Sequence, residues 1–218
     1  MDGTIIDSTP AIVQHWHKIG KELGIDPNVI LETSHGRRSI DVLRIYDESK
    51  ANWEYITHAE AQIPLLYGSS AVEIPGSRAL LETLESVAAP WAIITSGTKP
   101  LVTGWLDVLR LAHPRCLVTA EDVAEGKPSP EGYAMAARSL GLRRDGGEGV
   151  LVLEDAAAGV RAGKAAGFKV VALATTHTVE QLVQAGADWV VQDMRSVRFL
   201  GYGPEKGVVT VEIRDALR

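Results

Sequence analysis

Two apolar runs that end in polar side chains constrain this chain more than anything else in it. Trp91-Ala92-Ile93-Ile94 runs into Thr95-Ser96-Gly97-Thr98, and Val150-Leu151-Val152-Leu153 runs into Glu154-Asp155. The small-residue stretch from Ala156 to Gly167 that follows reads as a helix. Asp2-Gly3-Thr4 also reads as the end of a strand, and Gly126-Lys127-Pro128 places a lysine in a sharp loop. A parallel α/β sheet builds its site from polar groups at the C-terminal ends of strands and in the loops beyond them.

The rest of the chain fits that frame. Apolar residues at helical spacing predict helices over residues 10–23, 27–33, 39–46 and 53–67, with no convincing strand before Val72. From Ile74-Pro75-Gly76 onward the pattern alternates. Helices are expected over 77–87, 100–111, 130–140, 157–166 and 179–185. Strands are expected over 91–95, 116–119, 150–154, 169–174 and 189–191. Such alternation means a parallel sheet with helices on both faces. We therefore expect an α/β protein with a Rossmann-like parallel core (residues 1–8 and 75–201) and an all-helical cap (9–74) inserted after the first strand. The tail, 202–218, is expected to add an edge strand at Val208–Ile213, loosely attached through Gly201, Gly203, Pro204 and Gly207. The five tryptophans, at 16, 53, 91, 105 and 189, read as core, with Trp16 facing the cap cleft.

Composition narrows the function. The net charge of −6, from 22 basic and 28 acidic residues, argues against a nucleic-acid binder. An anionic substrate must then be drawn by local positive groups. Cys116 is the only cysteine, so no internal disulfide can form, which suits a reducing, cytoplasmic setting. It reads as a small buried hydrophobe ending a short strand. No apolar run approaches the roughly 20 residues of a membrane span, and no basic-then-apolar leader opens the sequence. We expect a monomer acting on a small metabolite, with no membrane or nucleic-acid partner.

The Asp2-Gly3-Thr4, Thr95-Ser96, Lys127 and Glu154-Asp155 segments, in this order, resemble the haloacid dehalogenase superfamily of phosphohydrolases over nearly the whole chain. Thr33-Ser34-His35-Gly36-Arg37-Arg38, Ile74-Pro75-Gly76, Thr95-Ser96-Gly97-Thr98 and Glu154-Asp155-Ala156-Ala157-Ala158-Gly159 look like its glycerol-phosphate and 2-deoxyglucose-6-phosphate phosphatases. The resemblance implies a Mg²⁺-dependent hydrolase of small polyol or sugar phosphates working through an aspartyl-phosphate. It implies Asp2 as general acid-base, its backbone carbonyl also on the metal. It implies Thr95, Ser96 and Gly97 on the phosphoryl group, with Lys127 holding both nucleophile and phosphoryl oxygen. Glu154 and Asp155 would join Asp2 at Mg²⁺, because two carboxylates ending an apolar strand are costly without a cation. Pro100 suits a helix N-terminus aimed at the anion. His35, Arg37 and Arg38 are the cap's candidates for substrate contact, under a cap that can close and exclude water.

One element of the motif is not in the sequence. The resemblance places the nucleophilic Asp, and the strand leading to it, just before Met1. A dehalogenase is disfavoured, since Asp2 is the phosphotransfer acid. A non-catalytic phosphate-binding relative and a sugar phosphomutase stay open. In this fold the first strand is central, between those of Thr95 and Asp155. Burying about five apolar side chains at roughly 2 kcal/mol each is on the order of 10 kcal/mol. That matches the whole stability of a typical domain, about 5–15 kcal/mol. We therefore expect a truncated, catalytically impaired chain, and a gap one strand wide in the sheet.

Overall fold

The computed structural model of the chain describes residues 1–142, 149–205 and 207–218. A two-residue strand, β1 (Ile6–Asp7), leads into four helices: α1 (Thr9–Leu23), α2 (Pro27–Ser34), α3 (Ser39–Tyr46) and α4 (Trp53–Tyr67). β2 (Val72–Glu73) returns the chain to β1, pairing antiparallel with Ile6 opposite Glu73. These two strands were not expected from the sequence: two residues each carry no readable period. The helical segment is thus an insertion closed at its base by a small ladder. Its own core is Trp16, Ile19, Ile30, Ile40, Val42, Leu43 and Ile56. Local chemistry sets its helix ends. Gly24 (φ 69°) closes α1 in the left-handed region, and the Asn52 side chain accepts from the Tyr55 amide to open α4.

The remaining elements alternate as the sequence predicts. α5 (Ser77–Ser86), β3 (Ala92–Ile94), α6 (Lys99–Leu109), β4 (Cys116–Val118) and α7 (Glu131–Ser139) come first. β5 (Leu151–Glu154), α8 (Ala157–Ala165), β6 (Lys169–Leu173), α9 (Val179–Gln184) and β7 (Trp189–Val191) follow. All pairings among β3 to β7 are parallel: β3 with β4, β5 with β6, and β6 with β7. The fold is α/β, with parallel sheet layers, flanking helices and a helical insertion.

The sheet is in two pieces. β3–β4 and β5–β6–β7 are separate ladders, and β3 does not pair with β5. A cavity of about 260 Å³ lies between them, lined by Ile93, Ile94, Leu151, Leu153, Leu81 and Met1 among others. Apolar side chains, and strand edges unpaired among the described residues, therefore face each other across the middle of the sheet. Direct pairing of the two inner strands, the alternative geometry for this sequence, is not what the chain adopts.

The strand expected over Val208–Ile213 is present, paired with one that the sequence did not show. β8 (Val197–Gly203) and β9 (Val208–Ile213) form an antiparallel hairpin, with an irregularity between Phe199 and Gly201. Beyond it, the Val190 amide donates to the Arg218 carbonyl and the Leu217 amide to the Val190 carbonyl. The glycines loosen local regularity, but the tail is tied to β7. Cys116 opens β4 rather than ending it and is half-buried; burial pushes its thiol up. No helix among the described residues is long and apolar enough to cross a membrane.

Candidate active site

A cleft of about 300 Å³ lies between the strand ends and the helical segment. Asp2, Thr95, Ser96, Gly97, Lys127, Glu154 and Asp155 line it from the sheet side. His35 and Arg37, from the turn between α2 and α3, line it from the other, with Trp16. Nine of the ten residues singled out from the sequence thus meet in one place. Arg38 is the exception.

The turn carrying Asp2 is built locally. The amides of Thr4 and Ile5 donate to the Met1 carbonyl, and Gly3 takes φ 72°. A Cβ at Gly3 would also collide with the Asp155 carboxylate, so only glycine fits. Thr4 Oγ1 donates to Asp155 Oδ1 (2.8 Å), and Ser8 Oγ donates to Asp2 Oδ1 (2.5 Å).

Asp155 is buried, and its partners converge from three segments. Besides Thr4, Thr176 Oγ1 donates to Oδ2 at 2.6 Å, and His35 Nε2 lies 3.4 Å from the same oxygen. Burial pushes its carboxyl up, but the hydrogen bond from His35, the charge of the Met1 amino group and the hydrogen bonds from Thr176 and Thr4 outweigh it and hold the group below the usual carboxylate range. In return, the bond to Asp155 raises the His35 imidazole above its ordinary value. The ring of His177 stands 5.4 Å from that of His35. Burial, and then the charge of His35, lowers His177.

Glu154 is differently placed. Its Oε1 accepts from Lys127 Nζ and from the Tyr133 hydroxyl (3.1 Å). Its Oε2 accepts the amides of Asp155 (2.8 Å) and Ala156 (2.9 Å). Four donors saturate this carboxylate, so it fits poorly as a metal ligand. It secures Lys127 and the start of α8.

The phosphate-loop candidates also divide. The Thr95 hydroxyl accepts from the Gly97 amide (3.1 Å), which leaves its proton free to donate into the cleft. The Ser96 hydroxyl instead donates to the Gly36 carbonyl (2.9 Å) in the helical segment. The N-terminus of α6 does meet anions, but they are protein carboxylates: the Thr98 amide donates to Glu60 and the Lys99 amide to Glu121. Arg38 is 4 % exposed and absent from the cleft lining. Its guanidinium grips Asp41 and the carbonyls of Ala120, Val123 and Ala124. It joins the helical segment to the core. Arg37, exposed at the cleft, makes no side-chain hydrogen bond or ion pair among the described residues.

Sequence reading missed Glu60, Tyr133, Thr176 and His177. Thr175-Thr176-His177 follow β6 after Ala174, so the rule that found Thr95 and Asp155 reaches them too. Glu60 and Tyr133 are mid-helix residues with no such signal. For Mg²⁺, which takes one or two carboxylates with phosphate and water, Asp2 and Asp155 offer hard oxygen donors on one cleft wall. Glu154 is taken up elsewhere, and no cluster of three or more His, Cys, Asp or Glu arranged for a metal occurs among the described residues.

The sequence profile of the family described as "Haloacid dehalogenase-like hydrolase" matches residues 1–173. The chain is 38% identical to glycerol-1-phosphate phosphohydrolase 2 of Saccharomyces cerevisiae, over 100% of this chain and 89% of that protein. It is 34% identical to 2-deoxyglucose-6-phosphate phosphatase 1 of the same yeast, over 96% and 91%. Among solved structures, a hydrolase from Pseudomonas syringae superposes with a TM-score of 0.75 at 27% identity, covering 88% of this chain and 91% of that one. The chain belongs to the haloacid dehalogenase-like hydrolases.

Proposed function

We propose that this protein hydrolyses small phosphomonoesters, with Mg²⁺, in the class of glycerol phosphate or 2-deoxyglucose 6-phosphate. The observation that carries the reading is the convergence of Asp2, Thr95, Lys127 and Asp155 on one cleft, drawn from four distant segments. The relatives are named for phosphates of this size. Asp2 through its backbone carbonyl and Asp155 through its carboxylate would hold Mg²⁺, which offsets phosphate charge when bound. Thr95 donates its hydroxyl proton to a phosphoryl oxygen. Lys127, held by Glu154, supplies a fixed positive charge beside it. Asp2 protonates the departing alcohol and then takes a proton from water. Residues 9–74 act as a cap over this cleft, with His35 and Arg37 toward the alcohol. We place the enzyme in the cytoplasm as a monomer, without nucleic-acid or membrane partners.

The attacking carboxylate is assigned to a strand seated between β3 and β5. The apolar cavity there and the two unpaired edges support this reading. Such a strand, ending in Asp just ahead of Met1, would bring its carboxylate to the cleft that Lys127 lines. The test measures p-nitrophenyl phosphate turnover by this chain, and by the chain with an apolar strand ending in Asp joined ahead of Met1. Mg²⁺-dependent turnover is expected only from the second. If the joined chain binds phosphate but turns nothing over, a non-catalytic phosphate-binding relative is the better account. A panel of polyol, pentose and hexose phosphates then ranks substrates.

A second reading has one observation behind it. A putative β-phosphoglucomutase from Bacteroides vulgatus superposes with a TM-score of 0.67 at 28% identity, covering 89% of this chain and 82% of that one. A mutase would use the same core groups. It would return the phosphoryl group to a sugar, so free phosphate release from hexose phosphates separates the two.

A further inference from the structure

Glu60 is a buried acid, 4 % exposed, with no part in the chemistry above. It projects from α4 into the cleft wall. One carboxylate oxygen accepts from the Ser39 hydroxyl; the other accepts from the Thr98 amide at 2.7 Å. Ser39 is the first residue of α3, and Thr98 is the N-cap of α6. The positive ends of two helices, one in each body, therefore converge on a single negative group. Burial pushes this carboxyl up, and the bonds from Ser39 and Thr98 oppose that push.

A buried carboxylate stays put only while its donors do. Seating the helical segment on the core supplies the Thr98 amide; lifting it off removes that donor. The same amide closes the loop whose Thr95 faces the cleft. Ser96 to Gly36 is a second tie between these bodies, two residues away.

We propose that Glu60 is a positioning residue that couples seating of the cap to alignment of the Thr95–Thr98 loop. Its role in turnover rests on the phosphatase reading above, but the coupling does not. Hydrogen exchange at the Thr98 amide, resolved by NMR in the chain as it stands, tests it directly. Exchange reports local opening, and a hydrogen bond to a charged group protects by about 10- to 100-fold. Glu60→Ala should speed Thr98 exchange by about that factor. Glu60→Gln, which keeps the volume but removes the charge and one of the two acceptor oxygens, and Ser39→Ala should each speed it about tenfold. The β6 amides, Val170 to Leu173, should change less than about threefold. Where Glu60→Ala does not fold, the other two variants carry the test. Unmoved Thr98 exchange in the folded variants overturns the proposal, as does an equal rise in β6, which would mean general loosening. In the strand-joined chain, Glu60→Gln should lower kcat about tenfold with KM within about twofold. A KM change alone, with Thr98 unmoved, would make Glu60 a substrate contact instead. Failure of turnover in the parent joined chain would sink the phosphatase reading and leave the exchange result standing.

Discussion

Lys127 and Glu154 form an ion pair at the C-terminal end of β5, the lysine side chain 12 % exposed and the glutamate 4 %. Tyr133 donates to the same oxygen, and two backbone amides hold the other. Pairing of this kind contributes little as a replacement for apolar packing, but breaking it from one side is costly. Glu154→Ala should therefore lower stability by about 3–5 kcal/mol, because an ammonium, a buried phenol and two amides lose their acceptor together. Urea unfolding measures this. A loss below about 1 kcal/mol would mean that Lys127 finds another acceptor and that Glu154 does not fix its position.

Arg38 makes the second prediction. Its planar fork binds Asp41 on one side and three carbonyls of the 120–124 loop on the other. An ammonium cannot reproduce that geometry. Arg38→Lys should thus be nearly as damaging as Arg38→Ala, with about 2 kcal/mol lost in either case. Both variants should speed protease cleavage between residues 120 and 127. Full stability in Arg38→Lys would show that only the charge matters, and the joint between helical segment and core would have to be sought elsewhere.

These two residues mark how far the sequence could be read. α3 and α4 were delimited to the residue, because burial of one face at a period of 3.6 leaves a local trace. Lys127, Thr95 and Asp155 stood out because each follows a strand or sits in a sharp loop. The partners did not. Nothing near Arg38 announces the carbonyls of Ala120, Val123 and Ala124, and nothing near Pro100 shows that Glu60, some forty positions earlier, will meet the α6 N-terminus. β1 and β2 escaped because two residues cannot show alternation, and β8 because Gly201 and Gly203 interrupt its apolar pattern. Legibility followed locality: elements shaped by their own periodicity were visible, and contacts made across the fold were not.

His15 carries the pH prediction. It lies on α1, 6 % exposed, edge-on to Trp16. Burial, and then the charge of Lys18, lowers its imidazole from 6.5 to about 4. Between pH 6.5 and pH 4 the unfolded chain binds a proton that the folded chain refuses, so this group's stabilisation is complete above pH 6.5 and is lost as pH falls through about 4. The loss should approach about 3 kcal/mol, since each tenfold change in proton affinity is worth about 1.4 kcal/mol. His35, raised by Asp155, slopes the other way, so the comparison must be with His15→Gln rather than with neutral pH alone. Urea midpoints at pH 7 and pH 4 should fall farther apart in the parent than in the variant. Equal separation would mean that His15 can reach water on protonation.

The divided sheet carries the last prediction. The cavity between β3 and β5 is walled by Ile93, Ile94, Leu151 and Leu153, and among the described residues both inner edges are without a strand partner. A strand placed there would order at a cost of about 1–2 kcal/mol per residue. Each buried apolar side chain would return about 1.5–3 kcal/mol, and each ladder hydrogen bond about 0.5–1.5 kcal/mol. Because a central strand bonds on both edges, the return outweighs the cost by about 1 kcal/mol per residue. A five-residue apolar strand joined ahead of Met1 should therefore raise stability by roughly 5 kcal/mol and raise the urea m-value, since more surface is exposed on unfolding. The same strand with lysines at alternate positions should do neither, as one face would place charge in the apolar layer. If both extensions leave stability unchanged, the two ladders are adapted to stand apart and the cavity does not receive a strand.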